Sequence, residues 1–271
     1  MKKRTYITGK ELTDKQWSKI EPLLPEPIQS RKGGQHRAPN RACLEGILWT
    51  LRTGAPWSDM PERFPSDSTC WRHMTEWQAK DVWIDIWRTF LGLLDSKGRL
   101  KWDEVFADGT FAPAKKGRRG RQNEAWEGNK NYGAVDGQGL PIGIKLSSAT
   151  PHESKLIEST LDTVRIPRIG AGRPRTKIQR LIYDRAADYP SLRRRLLEQR
   201  GIDLICPHRK NCKQKMQDGR KLARYKKRWK VERTNAWLLN FRRVATRYDK
   251  LISSYFAFVL LACIMIVLRR L

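Results

Sequence analysis

Apolar residues recur every three to four positions through the first hundred residues. Beyond them the pattern changes to short apolar runs and alternations. The chain therefore reads as a helical third followed by a mixed α/β part. Thr13-Asp14-Lys15-Gln16 has the form of a capping box, and Trp17, Ile20, Leu23 and Leu24 make a stripe that stops at Pro25. After a polar loop at 26–41, Asn40 is the expected N-cap of a helix carrying Leu44, Ile47, Leu48 and Leu51, with Gly54 as its stop. A short helical turn is expected over Ser58–Phe64. Ser66 or Asp67 then caps a helix with Cys70, Met74 and Trp77 inward and Ser68, Thr69, Arg72 and His73 outward. Val82, Ile86, Phe90 and Leu93 mark a fourth helix. Helix, connection, helix, with polar residues opening the second, is the outline of a helix-turn-helix DNA reader, although a plain helical bundle has the same pattern.

A break falls at Asp95–Leu100. Beyond it, 104–111 reads as a buried strand, and 131–148 as two strands around the turn Asp136-Gly137-Gln138-Gly139. Helix 152–164, strand 178–184, helix 191–199, strand 202–208 and helices 228–243 and 252–270 follow. The order β, β, β, α, β, α, β, α is that of an RNase H-like fold with a mixed sheet. The expected organisation is a helical, helix-turn-helix-like DNA-binding domain over 1–98 and a catalytic domain over 99–271.

Charge narrows the partners. With 55 Lys+Arg against 28 Asp+Glu, the 271 residues carry a formal +27. Eleven Trp, 7 Tyr and 7 Phe exclude a disordered polybasic chain. Such a charge suits a polyanion, nucleic acid before membrane. The longest apolar run, Tyr255–Leu268, is shorter than the ~20 residues a spanning helix needs, and the basic N-terminus is not followed by the apolar stretch of a secretory signal. Five scattered cysteines suit reduced thiols in a cytoplasmic setting. Cys206-x5-Cys212 with His208 between has the outline of half a zinc site, but no second half follows at proper spacing, so the thiols read as structural.

Three acids stand where phosphate chemistry needs them. Asp108 follows Val105-Phe106-Ala107, Asp184 follows Leu181-Ile182-Tyr183, and Glu232 sits in the helical stretch 225–238. Carboxylates fixed at strand ends and on a helix can hold Mg²⁺, a hard ion that prefers oxygen ligands, and two such ions drive in-line phosphoryl transfer. Tyr225, Arg228 and Glu232 fall at i, i+3 and i+7, one helical face, where Arg228 can grip a phosphate bidentately. A basic run at 209–228, including Arg224, Lys226 and Lys227, leads into that helix, and Arg233 follows on it. A second basic segment, 115–130, contains Lys115, Lys116, Arg118 and Arg119. Both are expected to track a DNA backbone. Trp126 and Trp237 are candidates to stack on an unpaired base.

With these motifs in view, the sequence resembles bacterial insertion-sequence transposases of the families named after insertion sequences four and five. Tyr225-x2-Arg228-x3-Glu232 looks like part of their C-terminal signature, and "WTLRTGAPWSDMPERF" (49–64), "ADGT", "GLPIGIKLSSATPHE", "LIYDRAADY" and "YKKRWKVERTNAWLLNFRRVATRYDK" resemble the fifth family in order. The resemblance implies a DDE transposase with the triad Asp108, Asp184 and Glu232. It also implies two Mg²⁺ ions (or Mn²⁺), recognition of terminal inverted repeats and of target double-stranded DNA, and a homodimer or higher multimer on DNA near the bacterial nucleoid. Where the wider signature has Lys, this chain has Leu239, with Arg242 or Arg243 as substitutes. Asp188 competes with Asp184 but is expected past the strand end, in a capping or supporting role, and His152 is expected to fix the start of its helix. Two other readings remain at this point: a non-catalytic DNA-binding regulator derived from a transposase, and an RNase H-like nuclease acting on RNA–DNA hybrids.

Overall fold

The computed structural model of the chain describes residues 6, 8–26, 37–115, 128–148, 153–210, 212 and 217–271. Four helices come first: α1 (Asp14–Ile20), α2 (Asn40–Thr53), α3 (Asp67–Ala79) and α4 (Val82–Ser96). Local chemistry sets their ends. Thr13 and Gln16 form the reciprocal capping box of α1, and Ser66 accepts from the Thr69 amide at the start of α3. Pro39, not Asn40, stands at the cap of α2, because Asn40 turns its side-chain amide back to the Pro25 carbonyl. Gly54 ends α2 in the left-handed region at φ 70°, and a Cβ there would come 2.8 Å from Cβ of Arg242, so the position also admits a close neighbour. The expected helical turn over 58–64 shrinks to a 3-10 turn at Trp57–Asp59.

The second part contains β1 (Val105–Ala112), β2 (Asn129–Val135), β3 (Pro141–Ser148), α5 (Glu153–Leu161), β4 (Arg180–Ile182), α6 (Pro190–Arg200) and β5 (Asp203–Ile205), then α7 (Gly219–Leu222), α8 (Trp229–Leu239), α9 (Arg242–Ala245) and α10 (Ile252–Leu268). The sheet order is β3-β2-β1-β4-β5. The β1–β2 and β2–β3 pairs are antiparallel; β1–β4 and β4–β5 are parallel. Three antiparallel strands followed by two parallel ones reached through helices is the RNase H-like arrangement the sequence pattern implied. The anticipated helix 228–243 is two helices, because Phe241 adopts an extended conformation (ψ 103°) and redirects the chain into α9.

The apolar run at the C-terminal end forms α10, apolar on all sides and buried along nearly its whole length, as such a helix must be. Among the described residues no helix is long and apolar enough to cross a membrane. α10 packs on α2, α3 and α4, crossing the position expected for a domain boundary. Ile20, Leu44, Leu48, Trp83, Ile86, Leu261 and Ile264 meet there, so the N-terminal helices and the end of the chain share one core.

Candidate active site

Sheet register aligns two of the three acids. Phe106 of β1 pairs with Ile182 of the parallel strand β4, and Asp108 and Asp184 each lie two residues beyond that pair. With a side-chain period of two, an Asp on a continuing strand shares the face of its apolar partner two residues earlier. That face is covered by a small cluster of Phe106, Val135, Ile182, Ile205 and Val231, with Tyr225 packed against it. Val231 belongs to α8, so its neighbour Glu232 is carried to the edge of the same face.

Two of the three acids share one cation. Arg228 Nη2 lies 2.7 Å from Asp108 Oδ1 and Nη1 lies 2.9 Å from Glu232 Oε1. Burial works to lower the Arg228 pKa. The carboxylates of Asp108, Asp184 and Glu232, with the Tyr225 oxygen beside them, outweigh it and raise the value above the ordinary one. Asp184 sits past the strand rather than in it, because its carboxylate accepts from the Ala186 amide at 2.8 Å and caps a 3-10 turn at Arg185–Ala187. Tyr225 and Arg228 lie on a 3-10 turn, Ala223–Arg228, ahead of α8 rather than on one continuous helix with Glu232; Arg228 and Glu232 meet as an i,i+4 pair. Carboxylates are hard-oxygen donors of the kind Mg²⁺ or Mn²⁺ takes; Asp108 and Glu232 share Arg228, Asp184 lies just past the end of β4, and these three are the residues that would hold such ions.

Supporting contacts explain why α8 takes this position. Lys230, Arg233 and Thr234 donate to the three successive carbonyls of Gly137, Gln138 and Gly139 in the β2–β3 turn. Gly139 has φ 86°, and a Cβ on it would lie 3.1 Å from the Lys230 carbonyl oxygen. Two participants were missed in the sequence. Asn235, one turn after Glu232, donates to Asp108 Oδ2 at 3.4 Å; its spacing of three from Glu232 was the available signal. Glu104, buried before β1, binds Arg224 and Lys227. Burial pushes the Glu104 carboxyl up, but Arg224 and Lys227 outweigh it and hold it below its ordinary value.

The other expected contact residues divide. Lys226, Lys227 and Arg242 are exposed, as are Ser68 and Arg72 on α3 beside exposed Trp71, while Thr69 is half-buried. Lys115 is exposed with its ammonium 5.4 Å from the Tyr248 ring centre. Arg233 lies between the rings of Trp229 and Trp237, 4.8 and 4.7 Å from their centres, and Trp237 also packs against the core. His73 does not face outward. It is buried, its Nδ1 is 2.9 Å from the Thr69 carbonyl oxygen, and its ring meets Trp77 edge-on, because position 73 falls on the inner side of α3. Arg243 is also buried. Its guanidinium pairs with Asp249 and reaches the carbonyls of Gly54 and Ala55 at the end of α2. Asp188 lies past the end of β4, as expected, and is buried against Arg193. Lys116, Arg118, Arg119, Trp126, His152 and loop residues 31–36 lie outside the described residues.

Fold and acidic face together define an RNase H-like domain preceded by a helical region. Sequence comparison identifies its family. Residues 103–268, more than half of the chain, match the family described as "Transposase DDE domain", and residues 12–87 match "Putative transposase of IS4/5 family". The chain is 30% identical over 144 residues to a Burkholderia cepacia protein named "Putative transposase for insertion sequence element IS402", covering 53% of this chain and 64% of that one. It is 38% identical over 101 residues to an IS402 "uncharacterized 16.2 kDa protein" of the same organism (36% and 69%). It is also 29% identical over 124 residues to "Uncharacterized protein y4sN" of Sinorhizobium fredii (43% and 93%). The chain belongs to the DDE transposases of the IS4/5 group, enzymes that cut and transfer DNA.

Proposed function

We propose that this protein binds the terminal inverted repeats of its element, cleaves the element ends and joins the freed 3′-OH to target DNA, with Asp108, Asp184 and Glu232 as its catalytic carboxylates. The single observation that carries the reading is that Asp108 and Glu232 both pair with Arg228, on the face where the β1–β4 register aligns Asp184 with Asp108. Bound Mg²⁺ or Mn²⁺ would activate the attacking oxygen and stabilise charge on the leaving one. The residues of the chain itself perform the rest. Arg228, already held between Asp108 and Glu232, is placed to grip the phosphate beside the cut. Asn235 orients Asp108, and the clamp on the β2–β3 turn keeps Glu232 in register with the strands. Lys226, Lys227, Arg224, Arg233 and Arg242 extend the cationic surface along the duplex. Ser68, Thr69 and Arg72 on α3 are placed to touch the repeat, and Lys115 marks where the basic segment 115–130 leaves β1. Assembly as a dimer or larger multimer would pair the two element ends before joining, in the cytoplasm beside the nucleoid.

The test combines the protein with its own inverted repeats, Mg²⁺ and a target plasmid. Wild type is expected to yield strand-transfer products. Asp108→Ala, Asp184→Ala and Glu232→Ala are expected to bind the repeats but leave them uncut. Full cleavage by Glu232→Ala removes that residue from the triad. Repeats bound but never cut by wild type would favour the non-catalytic regulator.

A further inference from the structure

Among the described residues, one group of metal-ligating side chains lies close together: Asp188, just after the 3-10 turn capped by Asp184, and His208 and Cys212 in the chain that follows β5. One ligand atom from each lies within 4.8 Å of the other two. His208 Nδ1 is 3.2 and 3.3 Å from the two Asp188 oxygens and 3.7 Å from Cys212 Sγ. We propose that Asp188, His208 and Cys212 bind a zinc ion, with the fourth position open to water.

Two arguments carry the assignment. The first is metric. Zinc bonds of about 2.0–2.2 Å to N and O and about 2.3 Å to S, at tetrahedral angles, give ligand–ligand edges of about 3.3–3.4 Å for N···O and about 3.6 Å for N···S. The observed separations match both. The second is valence. The single Nδ1 faces two partners at once. If it carries a proton for Asp188, it cannot accept from the Cys212 thiol; if it accepts from the thiol, it has nothing to donate to the carboxylate. A metal at the centre satisfies both contacts together.

The surroundings agree. Asp188 is held in place by Arg193 at 2.9 Å and by the Arg209 amide at 2.8 Å, the outer support that ligating carboxylates receive. One carboxylate and one thiolate balance the dication, and a mixed S, N, O set selects zinc over Mg²⁺. The half-motif Cys206-x5-Cys212 is thereby regrouped. Cys206 Sγ turns to Arg193 at 2.8 Å, and Asp188, distant in sequence, takes its place. The ion would fasten the segment behind Asp184 to the root of the basic run that leads to Arg228. Its role is structural and does not depend on the transposition chemistry.

The experiment uses the full chain purified without chelator. About one zinc per chain is expected by elemental analysis. Co²⁺ replacement is expected to give visible ligand-field bands and a thiolate-to-cobalt charge-transfer band, which the thiol-free triad cannot produce. Cys212→Ser should abolish the charge-transfer band and lower the zinc content, with the circular dichroism of the fold retained. Cys206→Ser should keep the band. Absence of both zinc and the thiolate band in wild type overturns the proposal. So does a band lost in Cys206→Ser and kept in Cys212→Ser. Neither readout uses DNA, so failure here is separate from failure of the transposase reading.

Discussion

The structure places Arg243, one of the two arginines that the sequence offers in place of the missing lysine, in the protein interior. Its guanidinium makes a two-point pair with Asp249, Nη2 and Nε at 3.1 and 3.2 Å, with both side chains nearly inaccessible at 5% and 7%. It also donates to the Ala55 carbonyl at 3.2 Å and stacks near the rings of Tyr248 and Phe258. Arg243→Ala therefore leaves a buried aspartate without its counter-charge, a loss worth about 3–5 kcal/mol. For a chain of this size that is a fall in Tm on the order of 10 °C. Urea unfolding of the metal-free, DNA-free protein, followed by tryptophan fluorescence, measures it. Removing both charges in Arg243→Ala/Asp249→Ala should recover part of the loss, because no orphan charge remains. Arg242→Ala, on the exposed neighbour, should unfold within about 0.5 kcal/mol of wild type. If Arg243→Ala is as stable as Arg242→Ala but loses DNA binding, the interior role is refuted.

Three further outcomes are expected. Glu104→Gln weakens the hold on Arg224 and Lys227. The carboxyl of Glu104 is depressed below its ordinary value of 4.5, so its stabilisation is complete above that pH and disappears as pH falls through the folded-state value. The gap in urea midpoint between wild type and variant should therefore close below about pH 4.5, and a constant gap would exclude the ionic role. Gly139→Ala forces an alanine into the left-handed region against the Lys230 carbonyl, costing about 1–2 kcal/mol in thermal unfolding; an unchanged Tm would contradict the close approach. Arg228→Ala removes the cation that bridges Asp108 and Glu232, so Mn²⁺ titrated by electron paramagnetic resonance should bind several-fold more tightly, and weaker binding would show that Arg228 assists the ion instead.

Features written in short stretches of sequence were legible. The capping box at Thr13, the glycine stop at Gly54 and the β2–β3 turn depend on neighbours a few residues apart, and each appears in the structure; Asp184 does follow its strand, whereas Asp108, expected at a strand end, lies inside β1, which stays paired with β2 as far as Ala112. The order of elements then sufficed for the sheet topology. What escaped depends on contacts between distant segments. His73 and Arg72 are equally polar in the sequence, yet one turn of α3 places the imidazole against Trp77. Arg243 reads as one more surface charge until α9 meets the end of α2. Glu104 precedes its strand without any local signature, and its partners lie about 120 residues later. Leu239, where the wider signature has lysine, is partly exposed at the end of α8 and has no polar replacement at its own position.

The burial of α10 among the first helices also orders events during synthesis. α2, α3 and α4 leave the ribosome with an apolar groove whose filler is encoded some 150 residues downstream. At about 5–20 residues per second, that groove waits roughly 8–30 s for its occupant. Until then the nascent chain presents sticky helices together with a highly cationic body, in a compartment full of RNA. A chaperone holding the α2–α4 surface through that interval, or the growing chain staying close to the ribosome, would decide how much protein matures. Ribosome stalling before residue 252 should yield a product in which the leading helices are sensitive to protease.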